Sequence, residues 1–485
     1  MGVLTISSLS RFISPSMPMT DRLLIRGARV LLSGGMLKVA DVRVEQGKIT
    51  QIGSTLSDPE ARLIEAEGLV LLPGVIDPQV HFREPGLEHK EDLFTASCAC
   101  ARGGVTSFLE MPNTRPLTIT QAALDDKLQR AAQKCLVNYG FFIGATAENL
   151  PDLRTAHPTP GIKIFMGSMH GDLLVDQEAV LDRIFYRDLN DPNWENRLIA
   201  VHAEDQARIH QRRQQFTGIA DPAIHSVIQD NQAALLATQL ALKLSKKYYR
   251  RLHILHMSTA EEAELLRQDK PIWVTAEVTP QHLLLNTSAY ERIGTLAKMN
   301  PPLRSPQDQK VLWQALQDGV IDFIATDHAP HTLAEKAQGF IDAEAPGTAP
   351  STPGGPTVFL EPANAPSGMP GVETSLPLML TQTMQGRCTV SQVVHWMSTA
   401  VAQGYGIPHK GAIAPGYDAD LVLVDLNTYR PVLREELLTK CGWSPFEGWN
   451  LTGWPVYTIV GGQIAFERGK VNPEVRGKAL SFENA

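Results

Sequence analysis

Cysteine is scarce in this chain, with five in 485 residues, too few for a disulfide framework. Cys98 and Cys100 stand close together, but a lone CxC pair does not make a metal site. Reduced thiols in a cytoplasmic enzyme are the expectation. Long apolar runs are also missing: no apolar run reaches about 18 residues, so no membrane-spanning helix and no membrane partner are expected. Positive charge is not in surplus. Lys plus Arg is 44 against 52 Asp plus Glu, a net charge of −8, which leaves no basic footprint for nucleic acid. Neither GxGxxG nor GxxxxGK(S/T) occurs, so no glycine loop is built to cradle phosphates. GxSxG is absent too, and the nearest string, GSMHG at 167–171, does not present a serine nucleophile. Residues 1–18 carry one Arg, no acid and no long apolar segment. That excludes a signal peptide, and Ile6 stands where a myristoylation site wants Ser or Thr. They read as a disordered tail, or as an upstream start before Met19.

What is present has two textures. From Arg22 onward, LLIRGARVLL and VADVRVEQGKITQIG are short Val- and Ile-rich segments separated by glycine turns, the mark of antiparallel strands. The same texture returns in GYDADLVLVDL and PVYTIVGGQIAFERGKV. One β-sandwich built from residues 19–72 and 411–485 accounts for both. Between them, over residues 73–410, continuous apolar runs alternate with helical stretches. The runs are LVLLPGVIDPQVH, GVTSFLEMPN, CLVNYGFFIGA, GIKIFMGS, RLIAVHAE, RLHILHMS, IWVTAEVTP and DFIATDHAPH. Eight buried strands, most followed by a helical stretch, predict an α/β fold of the (β/α)8 TIM-barrel type. A doubly wound open sheet is the alternative. Residues 337–364 are rich in Gly, Pro and Ala and read as a loop insertion after the eighth strand, either a lid or a disordered insert.

In such a barrel the C-terminal strand ends share one mouth. His81, Lys163, His202, His256 and Asp327 fall at those ends on strands 1, 4, 5, 6 and 8. Imidazoles with a carboxylate suit zinc and leave room for water. Lys163 is the odd member, because an ammonium repels a cation. It is either a lysine snorkelling to solvent, or an amine whose pKa is depressed enough to add carbon dioxide and become an anionic carbamate. His170, just after strand 4, reads as a solvated loop residue near the mouth.

GVIDPQVHFREPGLEHKEDL, EMPNT, GIKIFMGS, VHAED, LHILHMST, EVTPQHLLL, MNPPLR, ATDHAPH, SGMPGVETSLPLML, APGYDADLVLVD and SPFEGWNLTGWPVYTIVGG together resemble the dihydroorotases of the amidohydrolase superfamily. The resemblance covers about residues 24–470. It implies a metal-dependent enzyme that interconverts L-dihydroorotate and N-carbamoyl-L-aspartate in pyrimidine biosynthesis. It further implies His81, Lys163 (carboxylated), His202, His256 and Asp327 as ligands of one or two Zn2+ ions, with Asp327 also the catalytic proton shuttle. Arg83, Asn113 and His331 would grip the substrate carboxylate, with Asn300 a further substrate contact. A planar guanidinium at Arg83 suits a carboxylate, which a hydantoin ring need not carry. A homodimer is a family expectation. The departure is Gln79: the family's first strand usually reads D-x-H-x-H, and here it reads Asp77-Pro78-Gln79-Val80-His81. An amide oxygen is a poorer zinc ligand than imidazole. One strongly held zinc, two unequal metals, or Gln79 or water filling the gap all remain open. Another cyclic amidohydrolase of the allantoinase or hydantoinase type is an alternative. So is an impaired homologue that partners aspartate transcarbamoylase.

Overall fold

A computed structural model describes residues 12–13, 21–32, 34–169, 171–188, 196–216, 218–219, 221–337 and 365–483. His170, residues 338–364 and most of the expected tail at 1–18 lie outside them. Within that tail, Phe12 and Ile13 pack against the main core, and Ile13 bridges Val471. These two apolar residues depart from the expectation of a disordered tail.

The chain ends build one sheet. Its amino-terminal strands are β1 (Arg22–Leu31), β2 (Leu37–Glu45), β3 (Lys48–Gly53), β4 (Arg62–Glu65) and β5 (Val70–Pro73). A register shift between Ile25 and Ala28 splits β1, so that its first half pairs with β4 and its second half with β5.

The middle of the chain supplies parallel strands buried on both faces, as continuous apolar runs require. They are β6 (Val75–Val80), β7 (Val105–Glu110), β8 (Asn138–Phe141), β9 (Ile143–Gly144), β10 (Ile162–Phe165), β11 (Ile199–His202), β12 (Leu252–Ile254), β13 (Val274–Val278) and β14 (Phe323–Ile324). Hydrogen bonding sorts them into two sheets, β6-β7-β8 and β9-β10-β11-β12-β13-β14. Bonds cross both seams. At the first, β8 and β9 are halves of one run interrupted at Phe142, whose N–H donates to Glu110 O at 3.0 Å. At the second, His81 N–H donates to His328 O at 2.8 Å, and Thr326 donates N–H and Oγ–H to the two oxygens of Asp77.

Helices alternate with these strands. Leu93–Gly103, Ala260–Asp269 and Pro306–Gln317 each begin with a reciprocal cap, formed by Asp92 with Thr95, Thr259 with Glu262, and Ser305 with Asp308. Such caps satisfy N–H groups that the first turn leaves unpaired. Asn231–Tyr248, the longest of these helices among the described residues, lies between β11 and β12 and buries its alanine-rich face. No helix among the described residues is long and apolar enough to cross a membrane.

After the helices the chain returns to the first sheet with β15 (Leu421–Asp425). A short separate pair follows, β16 (Arg430–Pro431) with β17 (Asn450–Leu451), and then β18 (Trp454–Val460), β19 (Gln463–Glu467) and β20 (Lys470–Val471). The sheet order is β20-β19-β18-β15-β5-β1-β2-β3, with β4 on β1. It has its own apolar core around Ile25, Val42, Leu71, Leu421 and Ile459. The architecture is α/β with parallel sheets in the middle of the chain and a mixed sheet made by its two ends.

Candidate active site

A cavity of about 220 Å³ opens at the C-terminal ends of the parallel strands. Gln79, His81, Arg83, Asn113, His202, His256, Asn300, Asp327 and His331 line it, together with Phe165, Ser168 and Ser367. Eight of the nine residues singled out from sequence therefore share one cavity. The ninth, Lys163, is fully buried behind it, with its ammonium nitrogen 4.5 Å from the centre of the Phe165 ring.

Period-two alternation along β6 puts Asp77, Gln79 and His81 on one face of the strand. The chain then leaves the strand ends through strained turns. Eight non-glycine residues among those described have positive φ, and four of them, Arg83, Ser168, His256 and Asp327, line this cavity. Such backbone costs of order 1–3 kcal/mol per residue and persists only where the surroundings enforce it.

The nitrogen and oxygen donors stand as two close pairs. Asn113 Oδ1 accepts from His81 Nδ1 at 2.7 Å, which leaves a lone pair on His81 Nε2, 3.1 Å from Asp327 Oδ1. Glu204 Oε2 accepts from His202 Nε2 at 2.8 Å, which turns His202 Nδ1 toward His256 Nε2 at 2.9 Å. In each pair two basic atoms face one another and need a proton or a cation between them. Burial pushes the pKa of His81 down and that of His256 far down, keeping both rings neutral. Among the described residues no three His, Cys, Asp or Glu side chains are drawn into one ready metal cluster; the donors remain as pairs.

Four buried polar atoms in or beside these pairs lack a hydrogen-bond partner: Lys163 Nζ, Gln79 Oε1, His256 Nδ1 and Glu204 Oε1. Burial lowers the Lys163 pKa to about 7, with Asp327 and Glu277 opposing the shift. An amine is thus available where an anion would complete a cation site. Gln79 turns its amide nitrogen to Asp327 Oδ1 at 3.2 Å, so it hydrogen-bonds the carboxylate and does not replace the missing imidazole in kind. The donor set fits a divalent cation between His202 and His256, and fits one less well beside Gln79.

Across the cavity Arg83 is buried, with Nε held by Pro330 O at 3.1 Å and burial lowering its pKa to about 10, so it stays charged at neutral pH. Lys90 Nζ donates to His331 Nδ1 at 3.2 Å, and His331 Nε2 donates to Ser367 O at 3.1 Å. Asn300 Oδ1 accepts from His225 Nε2 at 2.9 Å.

Sequence reading missed Glu204, which also accepts from Ser168 Oγ at 2.6 Å. The signal was present in VHAED, because a carboxylate two residues after a ligand-type histidine is placed to orient its ring. Ser367 carried no such signal; it reaches the site only through the fold.

A family model, the amidohydrolase family, matches residues 70–465. A dihydroorotase from Methanosarcina acetivorans is 34% identical over 94% of this chain and 94% of its own length. One from Bacillus licheniformis is 33% identical over 92% of this chain and 99% of its own. Among solved structures, the L-hydantoinase (dihydropyrimidinase) from Arthrobacter aurescens superposes with a TM-score of 0.86 at 32% identity, covering 96% of this chain and all of that one. Fold, cavity and relatives agree, and the chain belongs to the amidohydrolase family.

Proposed function

We propose that this protein is a dihydroorotase, interconverting L-dihydroorotate and N-carbamoyl-L-aspartate in pyrimidine biosynthesis. The observation that carries this reading is the buried, charged Arg83 facing the same cavity as the paired histidines and Asp327. A guanidinium fixed at Nε offers its remaining N–H groups to a carboxylate, which dihydroorotate has. The identity to dihydroorotases over most of the chain supports the same substrate.

In this reading His202, His256, Lys163 and Asp327 would hold a zinc ion, with His81 on the side weakened by Gln79. When bound, the ion lowers the pKa of a water and polarises a carbonyl oxygen. Lys163 carries the missing anion: its neutral amine adds carbon dioxide and releases one proton, giving a carbamate. Asp327 takes a proton from the attacking water and returns it to the ring nitrogen as the amide C–N bond breaks. Arg83 and the free Asn113 Nδ2 hold the substrate carboxylate, with His331 beside them and Asn300 at the rim, so that the carbonyl meets the water in line.

The two parallel sheets read as one eight-stranded barrel, closed by the bonds at Phe142 and His328, and residues 73–410 as its domain. Residues 19–72 and 411–485 read as a β-sandwich packed beside it. The family resemblance implies a cytoplasmic enzyme and a homodimer.

The likeness to a hydantoinase favours a second reading, hydrolysis of a ring without a carboxylate. Purified protein assayed side by side on dihydroorotate, hydantoin and allantoin, with its zinc content measured, decides between them. Turnover of dihydroorotate at least a hundredfold better than the others is expected. Preference for hydantoin overturns the assignment.

A further inference from the structure

Lys336, in the short helix Leu333–Ala337, is fully buried. Among the described residues no carboxylate pairs with it. Its ammonium instead donates to three backbone carbonyls, Lys298 O, Pro366 O and Gly368 O, each at 2.9 Å. An ammonium has three N–H donors, so the set is complete. Burial pushes the Lys336 pKa well below the usual lysine value, and donation to three carbonyls is what offsets that cost for the charged form.

The three carbonyls come from two segments that form the cavity rim. Lys298 lies two residues before Asn300. Pro366 and Gly368 flank Ser367, whose carbonyl accepts from His331 Nε2. The segments also bond to each other, with Gly368 N–H donating to Lys298 O at 3.0 Å. The fit around Gly368 leaves no slack: its φ is +137°, and a Cβ there would lie 2.4 Å from Ala329 O and 3.1 Å from His331 Cδ2. Trp443 covers the clamp, donating Nε1–H to His331 O at 2.8 Å with its ring centre 5.8 Å from the Lys336 nitrogen.

We propose that Lys336 is a positioning residue for substrate binding: it clamps the Ser367–Gly368 wall and thereby holds His331 against Lys90 and Arg83, where the carboxylate is gripped. This rests on the proposed function for the identity of the carboxylate, though not for the clamp itself. Lys336 touches no reacting atom. It acts through Ser367 O, so it affects binding of the carboxylate-bearing ligand more than the proton transfers at Asp327.

Two readouts test it on the full-length holoenzyme. Hydrogen exchange reads the clamp: the Gly368 N–H, bonded to Lys298 O, exchanges slowly in the wild type without ligand, and Lys336→Met speeds it at least tenfold while the Ala260–Asp269 helix is unchanged. Steady-state kinetics read the consequence: K336M raises KM for dihydroorotate at least tenfold with kcat within about threefold. If K336M does not fold, Lys336→Gln, which keeps two N–H donors, takes its place with a KM rise of threefold or more. Fast exchange of the Gly368 N–H in the wild type overturns the proposal. So does an unchanged KM in a variant with wild-type zinc content, or a fall in kcat at constant KM, the sign of fewer folded molecules. If the wild type does not turn over dihydroorotate, the proposed function fails separately, and the clamp is judged by exchange and by KM for whichever cyclic amide is hydrolysed.

Discussion

At the scale of single residues, Asp327 carries the most. Its Oδ1 accepts from Gln79 Nε2 and lies 3.1 Å from His81 Nε2, on strained backbone with φ +45°. Asparagine keeps the size and loses the proton acceptor. Asp327→Asn is expected to lower kcat by 10²–10⁴-fold, the range for loss of a general acid–base group, with the fold intact by circular dichroism. Retained turnover removes Asp327 from the proton path. Arg83→Ala deletes the buried fork of donors, and hydrogen bonds to charged groups contribute about 1.5–3 kcal/mol. KM for dihydroorotate should rise about ten- to a hundredfold, more than kcat falls; unchanged kinetics sink the carboxylate assignment. Glu204 orients His202 from behind. Glu204→Gln can still reach the ring but no longer takes its N–H as a charged acceptor, and losing such a partner weakens metal binding about 10–100-fold. Competition with a chelator measures this, and zinc affinity equal to wild type refutes it.

At the scale of elements, Asp77 ties β6 to the end of β14. It is buried and accepts from Thr326 N–H, Thr326 Oγ and Gln79 N–H. Burial raises its pKa from 3.8 to about 7. Between those two values the folded protein binds a proton that the unfolded chain has released. Asp77 therefore favours the fold most below pH 4, and this contribution is lost as pH rises toward 7, at no more than about 1.4 kcal/mol per pH unit. Asp77→Asn should flatten that part of the stability profile in urea titrations between pH 4 and 7; an identical slope shows that Asp77 is already ionised.

The elements also show what was legible. Strand ends such as VHAED and ATDHAPH could be read directly, because an apolar run closing on a polar residue is a local pattern and the barrel rule supplies the meeting point. The interruption at Phe142 could not be read, since an unbroken apolar string looks the same whether or not its ladder changes sheet. Glu204 was within reach of a local rule. Lys336 and Ser367 were not, because a lysine in TLAEKA looks solvated until three distant carbonyls are seen around its nitrogen. The insertion at 338–364 and His170 lie outside the described residues.

At the scale of the whole molecule, the two chain ends and the catalytic strands form one continuous structure. β5 pairs with β15 from Val70–Pro73 to Leu421–Val424, and one residue later β6 begins. That residue is Gly74, whose N–H donates to Asp420 O at 2.8 Å and where a Cβ would lie 2.1 Å from Thr106 Oγ1. No flexible linker separates the mixed sheet from the strand bearing Gln79 and His81. A chain ending at residue 415 lacks β15, β18 and β19 and leaves β5 an open edge. It should lose zinc binding as well as stability, measured as zinc per chain in the soluble fraction; wild-type zinc content in that fragment shows that the sheet is dispensable.

The junction at Gly74 also bears on biosynthesis. The segment that must lie against it, around residue 420, leaves the ribosome hundreds of residues after the junction itself. Gln79 on β6, and His81 just beyond it, thus emerge well before the segment that anchors their strand, so a nascent polypeptide should hold this corner of the cavity unfinished throughout that interval.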